Sequence, residues 1–210
     1  PLDVDRLYET LRRSRVFDGA IAGNIITAIT GIEIALWDLA GKAIGVPVYR
    51  LLGGKFRDRI RVYCDCHAGD DPSDPASYGE KAKELVEQGF TALKFDIDSP
   101  AHPDKYDTFN HTVSPFELQT AIDRVAAVRD AVGPDIDVAV DMHARCDMHS
   151  GIRLARALEK FNLLWLEEPV PPENVDALRE VKRSSGTPIC VGENIYTRFG
   201  FREILEKEAA

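Results

Sequence analysis

Five short apolar segments alternate with five helical segments along most of the chain, and this alternation strongly limits the folds that it can adopt. The strand-like segments are rich in valine, isoleucine and aromatic residues and lie at 61–65, 91–98, 137–143, 163–169 and 188–194. The helical segments lie at 76–89, 114–133, 151–161, 174–186 and 197–209. Consecutive β-α units form a parallel sheet with right-handed crossovers. Both an open doubly wound sheet and a closed (β/α) barrel fit this pattern.

Charged residues at the ends of the strands favour one of these two folds. A barrel draws its chemistry from the C-terminal ends of many strands, whereas an open sheet concentrates it at one switch point, usually beside a glycine-rich phosphate loop. No G-x-G-x-x-G follows any predicted strand. Charged side chains instead end nearly every strand: Asp65, Lys94, Asp96, Asp141, His143, Glu167, Glu168 and Glu193. We therefore predict an α/β fold in which residues 56–210 form a partial (β/α) barrel of about five βα units.

Residues 1–55 are predicted to form a helical segment ahead of the barrel. Apolar residues recur at helical spacing in 2–17 and again in 24–45. Asn24 is a candidate N-cap for the second helix, and Gly45 is a candidate for its end. The chain is therefore predicted to consist of a short helical part followed by a larger α/β part.

Composition excludes two classes of partner. The formal net charge is −9 at pH 7 and no basic stripe is present, so we expect no nucleic-acid binding. No uninterrupted apolar run approaches the roughly 20 residues that span a bilayer, so we expect no membrane association.

The cysteines lack a zinc-ligand spacing beyond a lone C-x-C, which predicts reduced, mostly buried thiols in a cytoplasmic protein. They are Cys64, Cys66, Cys146 and Cys190.

Three acidic residues recur at the same position of successive βα units. Asp141, Glu167 and Glu193 are spaced by 26 residues, from 141 to 167 and from 167 to 193. Three converging carboxylates without a counter-charge would repel one another and tend to protonate, and a divalent cation removes that cost. All-oxygen ligation favours Mg²⁺, with Mn²⁺ as an alternative. Acidic residues can also cap the helices that follow strands, but the equal spacing favours a shared metal site.

Four further residues lie near these predicted ligands. Lys94 and Asp96 are two residues apart on one strand, so both side chains are predicted to face the barrel interior. They would lie beside the metal and substrate, or they would form a structural ion pair with each other. His143 lies two residues after Asp141 and is predicted to protonate a leaving hydroxyl, with metal ligation or substrate binding as alternatives. Arg145 follows by the same alternation and is predicted to contact the polar end of a substrate. We assign Lys94 and His143 to catalysis, and Asp96 and Arg145 to substrate binding.

The loop at 99–115 is longer than a βα unit requires. It carries His102, Tyr106 and His111. Long loops in compact domains tend to be functional lids or disordered segments, and the sequence fits both. His67 and His149 also follow strands, and we expect them on the surface.

An ordered set of motifs resembles a known family. The stretch ITGIEIALWDLAGKAIGVPVYRLLGG is followed by LKFD, VDMH, WLEEPVPPEN and VGEN. Together they resemble the mandelate racemase-like branch of the enolase superfamily over nearly the whole chain. The resemblance implies a modified barrel that follows an N-terminal α+β capping domain. Residues 1–55 would be the last helices of that capping domain. It also implies Mg²⁺ held by Asp141, Glu167 and Glu193, and removal of a proton α to a carboxylate to give an enediolate.

Departures from the family pattern indicate the subgroup. Racemases and cycloisomerases of this branch typically carry Lys-x-Lys on the second strand, whereas here Lys94 is followed by Asp96. The Asp-x-His of Asp141 and His143, with EEPVPPEN, resembles dehydratases that act on acid sugars such as galactonate or gluconate. In these the histidine protonates the departing 3-hydroxyl, and the product is a 2-keto-3-deoxy sugar acid. The resemblance implies a Mg²⁺-dependent sugar-acid dehydratase, with a racemase or epimerase as the alternative.

The general base of the family is usually a histidine on the seventh strand, supported by an aspartate on the sixth. Only five βα units are predicted here, so we expect the base beyond Ala210 and the chain to be a fragment of a longer enzyme. A truncated product that binds metal or a partner chain without turnover is the alternative. The resemblance to the family and the exposed ridges of the helices also favour a homo-oligomer.

Overall fold

The chain divides into two compact units. The computed structural model describes residues 3–105, 107 and 109–210. One unit contains the described residues up to Arg61 together with Ile195–Phe201, and the other contains Val62–Asn194 with Arg202–Ala210.

The first unit is helical, as the apolar periodicity predicted. It contains α1 (Val4–Ser14), a 3₁₀ turn at Val16–Asp18, α2 (Gly23–Ile44) and the single turn α3 (Val48–Leu51). Helix α2 ends at Ile44, and Gly45 caps it in a left-handed conformation with φ 73° that glycine accommodates without strain. The expected N-cap was wrong, because the helix begins one residue before Asn24 and Ala22 occupies the cap position. A small buried cluster of Ala20, Ile26 and Ile29 forms its core.

Helix α2 is long and apolar enough to cross a membrane, by length and composition alone. Its most apolar window has a mean hydropathy of 1.2, and 17% of that window is buried. Glu33 and Asp38 interrupt the apolar run of this helix, so the length of uninterrupted runs did not single it out. Core helices pass the same test, so the absence of membrane association stays a prediction.

The second unit is built on a five-stranded parallel sheet. The strands follow one another in the order β1-β2-β3-β4-β5 without a reversal. A doubly wound sheet requires a reversal of strand order, so the described strands have the order of a barrel wall, as predicted. The strands are β1 (Cys64–Cys66), β2 (Ala92–Asp96), β3 (Asp137–Asp141), β4 (Leu166–Glu167) and β5 (Ile189–Cys190).

A helix follows each strand along the chain. These helices are α4 (Pro75–Glu87), α5 (Pro115–Val132), α6 (Met148–Leu158), α7 (Val175–Arg183) and α8 (Thr197–Lys207). Side-chain caps explain why four of them begin where they do: Asp74, Asp147 and Asn174 each accept a backbone N–H, and Ser114 forms a capping box with Glu117. Leu93, Val138 and Leu166 on the central strands are all 0% exposed, as expected for a covered parallel sheet.

One glycine permits the close approach of α4 and α5. A Cβ added to Gly79 would lie 2.8 Å from the carbonyl oxygen of Ala127, closer than carbon and oxygen atoms pack.

All four cysteines are free thiols. Cys66 and Cys146 are buried, and burial raises the pKa of each thiol to about 12.

The described part of the loop at 99–115 includes a short 3₁₀ helix, Pro103–Lys105. Its second half is tied to the α6 region: Thr112 Oγ1 donates to Asp147 at 2.7 Å, and Val113 N donates to Ser150 Oγ at 2.9 Å. Tyr106, which the sequence analysis singled out, lies outside the described residues. The lid role of this loop stays a prediction.

Candidate metal centre and active site

The structure brings Asp141, Glu167 and Glu193 together at one end of the sheet. Asp141 and Glu167 are the last residues of β3 and β4 and are paired with each other in the parallel register. Glu193 lies three residues after β5. One carboxylate oxygen from each residue lies within 4.8 Å of the others. Asp141 is fully buried, Glu167 is half-buried and Glu193 is exposed, so the cluster opens towards solvent on the Glu193 side.

A buried ammonium group lies beside this cluster. Lys94 Nζ is 2.8 Å from Asp141 Oδ2, 3.3 Å from Glu167 Oε2 and 3.6 Å from Asp65 Oδ2. Burial by itself lowers the pKa of Lys94, but the hydrogen bond to Asp141 and the charges of Asp141 and Glu167 raise it above its usual value. The ammonium therefore stays charged. Within the described part of the chain it pairs with these carboxylates and not with Asp96, so the structural Lys94–Asp96 pair weighed from the sequence does not form.

Hydrogen-bond donors fix the orientation of the Asp141 and Glu167 carboxylates. Asp141 Oδ1 accepts the backbone N–H of His143 at 2.9 Å, while its other oxygen faces Lys94. Glu167 Oε2 accepts from Trp165 Nε1 at 3.0 Å. Trp165 lies two residues before Glu167 on the same strand segment, and the sequence analysis gave it no role. Side chains two apart on a strand share a face, which is the signal that could have found it.

The donor set fits a hard divalent cation. Mg²⁺ and Ca²⁺ bind protein oxygens at about 2.0–2.6 Å, so two oxygens on one ion lie at most about 5 Å apart. The 4.8 Å limit on the separations of the three carboxylate oxygens satisfies this condition. Carboxylates alone, without thiolate or imidazole, are the ligands that Mg²⁺, Ca²⁺ and Mn²⁺ prefer.

A second group of potential ligands overlaps the first. Asp96, Asp141 and His143 also offer atoms within 4.8 Å of one another. Asp96 lies between two imidazoles, with His67 Nδ1 3.1 Å from Oδ2 and His143 Nε2 3.7 Å from Oδ1. Burial raises the pKa of Asp96, and both histidines oppose that shift. His67 is exposed, as expected, yet it contacts the site. The geometry accommodates the alternative in which His143 is a further ligand.

His143 faces the site for a different reason from the one predicted. Strand β3 ends at Asp141, so the two-residue alternation does not extend to His143. His143 and Ala144 instead adopt left-handed conformations, with φ of 44° and 58°. This turn directs the imidazole towards Asp98, whose Oδ1 lies 3.1 Å from Nδ1. Burial lowers the pKa of His143, but the carboxylates of Asp98, Asp141 and Asp96 outweigh it and raise the pKa overall.

Asp98 is a site residue that sequence reasoning missed. It lies two residues after Asp96 in the segment FDID, so the same period that singled out Lys94 and Asp96 reaches it. The predicted strand, 91–98, ended at Asp98, but no role was assigned to this residue.

Arg145 contacts the long loop. Its guanidinium donates to Glu117 Oε1 at 3.0 Å, to the carbonyl oxygen of Asp107 at 3.1 Å and to the carbonyl oxygen of Asn110. The side chain is 9% exposed. The alternation that placed Arg145 near a substrate ends at Asp141, so the structure assigns the guanidinium a contact within the loop and α5. Its role in substrate binding stays a prediction.

Two family models match the chain. Residues 4–53 match "Mandelate racemase / muconate lactonizing enzyme, N-terminal domain", and residues 77–210 match "Enolase C-terminal domain-like". The chain therefore belongs to the mandelate racemase/muconate lactonizing enzyme family of the enolase superfamily. The resemblance inferred from its motifs is confirmed.

The chain is similar to two proteins named as sugar-acid dehydratases and to a solved structure from its own family. It is 46% identical over 209 residues to a D-xylonate dehydratase from Haloferax volcanii. The aligned region covers 100% of this chain and 50% of that protein. A D-gluconate dehydratase from Thermoproteus tenax is 38% identical over 192 residues, or 90% of this chain and 36% of that protein. A mandelate racemase/muconate lactonizing enzyme-like protein from Rubrobacter xylanophilus superposes with a TM-score of 0.94 at 55% identity, covering 100% of this chain and 57% of that one. The chain spans about half the length of the curated relatives that it matches or less.

Proposed function

We propose that this chain carries the metal-binding part of a Mg²⁺-dependent sugar-acid dehydratase, a hydro-lyase. The observation that carries the proposal is the convergence of Asp141, Glu167 and Glu193 to within 4.8 Å, flanked by Lys94 and His143. Proteins named D-xylonate and D-gluconate dehydratase are 46% and 38% identical to the chain, which supports a sugar acid as the substrate.

The three carboxylates would hold the metal. A bound divalent cation would act as a Lewis acid that stabilises negative charge developing on a substrate carboxylate. Asp141 and Glu167 are already oriented by their hydrogen bonds to His143 N, Lys94 and Trp165, so little reorganisation is needed for them to act as ligands.

Lys94 and His143 divide the remaining work near the metal site. The Lys94 ammonium, buried and charged, is placed to pair with a substrate carboxylate that approaches the cluster. His143 is oriented through Nδ1 by Asp98, which leaves Nε2 as the atom that gives a proton to the departing 3-hydroxyl. Asp96 lies 3.7 Å from that nitrogen and is placed to accept a hydrogen bond from a substrate hydroxyl. The α-proton needs a base, which the family resemblance implies on later strands than these five.

We extend the proposal to the organisation of the protein. Residues 1–55 would be the trailing helices of a capping domain, and 56–210 the first part of a barrel. The family matches at 4–53 and 77–210 support this division. Cytoplasmic location and homo-oligomeric assembly, which the sequence predicts, stay predictions.

The experiment is an assay of the complete reading frame against D-xylonate, D-gluconate and D-galactonate in deuterated water with Mg²⁺. A dehydratase accumulates a 2-keto-3-deoxy acid from at least one of them, and EDTA stops the reaction. Deuterium incorporation at C2 without loss of water would indicate a racemase or epimerase instead. Neither exchange nor dehydration with any substrate would favour the non-catalytic alternative.

A further inference from the structure

Glu168, the residue after the proposed ligand Glu167, is buried at a conspicuous energetic cost. Its side chain is 0% exposed, and no lysine, arginine or histidine in the described part of the chain pairs with it. Its Oε1 accepts no hydrogen bond from the described residues. Its backbone is left-handed, with φ 35°, which non-glycine residues rarely adopt. A buried carboxyl group without a cationic partner and a strained backbone persist together where the surrounding structure or a function requires them.

Glu168 connects the three segments that carry the proposed metal ligands. Its backbone N–H donates to the carbonyl oxygen of Cys190, the last residue of β5, at 2.9 Å. Its own carbonyl oxygen accepts the N–H of Ala144, in the turn after β3, at 2.8 Å. Its carboxylate Oε2 accepts from Asn194 Nδ2 at 2.6 Å. Asn194 directly follows Glu193 in the chain.

Glu193 is the ligand with the least support of its own. It lies three residues beyond β5 and is exposed, whereas Asp141 and Glu167 end strands and accept hydrogen bonds from fixed donors. Among the described residues, the carboxylate of Glu193 has one hydrogen-bond partner, Asn194 Nδ2, at 3.5 Å. The same amide group that binds Glu168 therefore also contacts Glu193.

We propose that Glu168 and Asn194 form a clamp that positions Glu193 for metal binding, which makes both of them positioning residues. The buried carboxylate anchors the Asn194 amide, and the amide in turn limits where the Glu193 carboxylate can lie. This inference rests on the metal site of the proposed function. Hydrogen-bond partners of metal ligands commonly contribute 10–100-fold to metal affinity.

The test is the affinity of the complete protein for Mn²⁺ alone, measured from the EPR signal of the free ion. Asn194 is exposed, so Asn194→Ala removes the donor without emptying the core and without a change of charge. We expect it to weaken Mn²⁺ binding by about 10-fold or more. We expect Glu168→Ala to weaken it at least as much, and the double variant to be no weaker than Glu168→Ala, because both changes break one clamp.

Controls separate positioning from general loss of structure. Glu173→Ala removes an exposed acid from the same loop after β4 and is expected to leave Mn²⁺ affinity within about 2-fold. The metal-free melting temperature of Asn194→Ala should match that of the wild type. The inference is overturned if the wild type binds Mn²⁺ and Asn194→Ala binds it equally well. It is also overturned if Asn194→Ala has a lower metal-free melting temperature but an unchanged affinity for Mn²⁺. If the wild type itself does not bind Mn²⁺, the metal site of the proposed function falls, and the clamp falls with it.

Discussion

Among the described residues at the end of the sheet, carboxylates outnumber the cations that could balance them. Lys94 is the buried ammonium there, and His67 and His143 are the nearby imidazoles. A divalent ion bound among these groups would relieve repulsion that the protein alone leaves in place. The acids within this group are Asp65, Asp96, Asp98, Asp141, Glu167, Glu168 and Glu193.

Replacement of Lys94 by methionine tests this balance of charge. The Lys94 side chain is 7% exposed and that of Asp141 is 1% exposed, so loss of the ammonium leaves a buried carboxylate unpaired. We expect Lys94→Met to lower the free energy of unfolding by roughly 3 kcal/mol in EDTA. The loss should be smaller with Mg²⁺, which supplies the missing charge. Urea denaturation in both buffers measures the difference.

Lys81→Met is the matched control. Lys81 pairs with Glu84 on the surface of α4, so its replacement should change stability by less than about 1 kcal/mol in either buffer. Equal stability of Lys94→Met and the wild type in EDTA would show that the ammonium does not balance the cluster.

His143→Asn tests whether His143 acts only in the loss of the 3-hydroxyl and not in removal of the α-proton. Without the imidazole proton, dehydration should fall by about 100-fold or more. Exchange of the α-proton with solvent should continue, because His143 has no part in that step. Proton NMR in deuterated water follows both events in one sample, and His149→Asn, an exposed change on α6, serves as the control. Parallel loss of exchange and dehydration would refute the division of roles.

At the scale of elements, the residues that hold the loops matter as much as those at the strand ends. Arg124 on α5 is 1% exposed and has no carboxylate partner in the described part of the chain. Its guanidinium donates to the carbonyl oxygens of Ile97 and Ser99, each at 2.8 Å, and of Pro72, at 2.6 Å. It therefore ties the loops after β1 and β2 to α5, and the second of these loops carries Asp98.

Arg124→Met should lower the free energy of unfolding by about 2–4 kcal/mol, because it leaves buried carbonyl groups without donors. Arg156→Met is the comparison, since Arg156 is exposed and donates a hydrogen bond to Ser184, and it should cost less than about 1 kcal/mol. Chemical denaturation of both variants checks the prediction. Similar losses for the two would mean that the three carbonyl contacts add little.

The elements themselves were largely predictable, and the turns between them were not. Periods of 2 and 3.6 gave the order of strands and helices, because these patterns follow from which faces are buried. The same reasoning carried β3 too far, to His143, because a left-handed turn at His143 and Ala144 has no signal in hydrophobic periodicity. Glu168 was noted at the end of its strand but was given no role, because its contacts are with Ala144 and Asn194, which are distant in sequence.

At the scale of the whole molecule, the candidate site lies entirely within the second compact unit. Every described contact to Asp141 and Glu167 comes from residues of that unit. The spacing of three carboxylates at one βα period predicted their convergence, because a parallel sheet brings the ends of successive strands to one edge. The second group of potential ligands, Asp96, Asp141 and His143, was not predicted as a group, because the turn after β3 brings His143 to it.

The location of the bound ion is the most direct test of the account. Crystals of the complete protein grown with Mn²⁺ should give one anomalous peak, about 2.1 Å from one oxygen each of Asp141, Glu167 and Glu193. A peak held instead by Asp96, Asp141 and His143, or no peak beside Asp141, would contradict it.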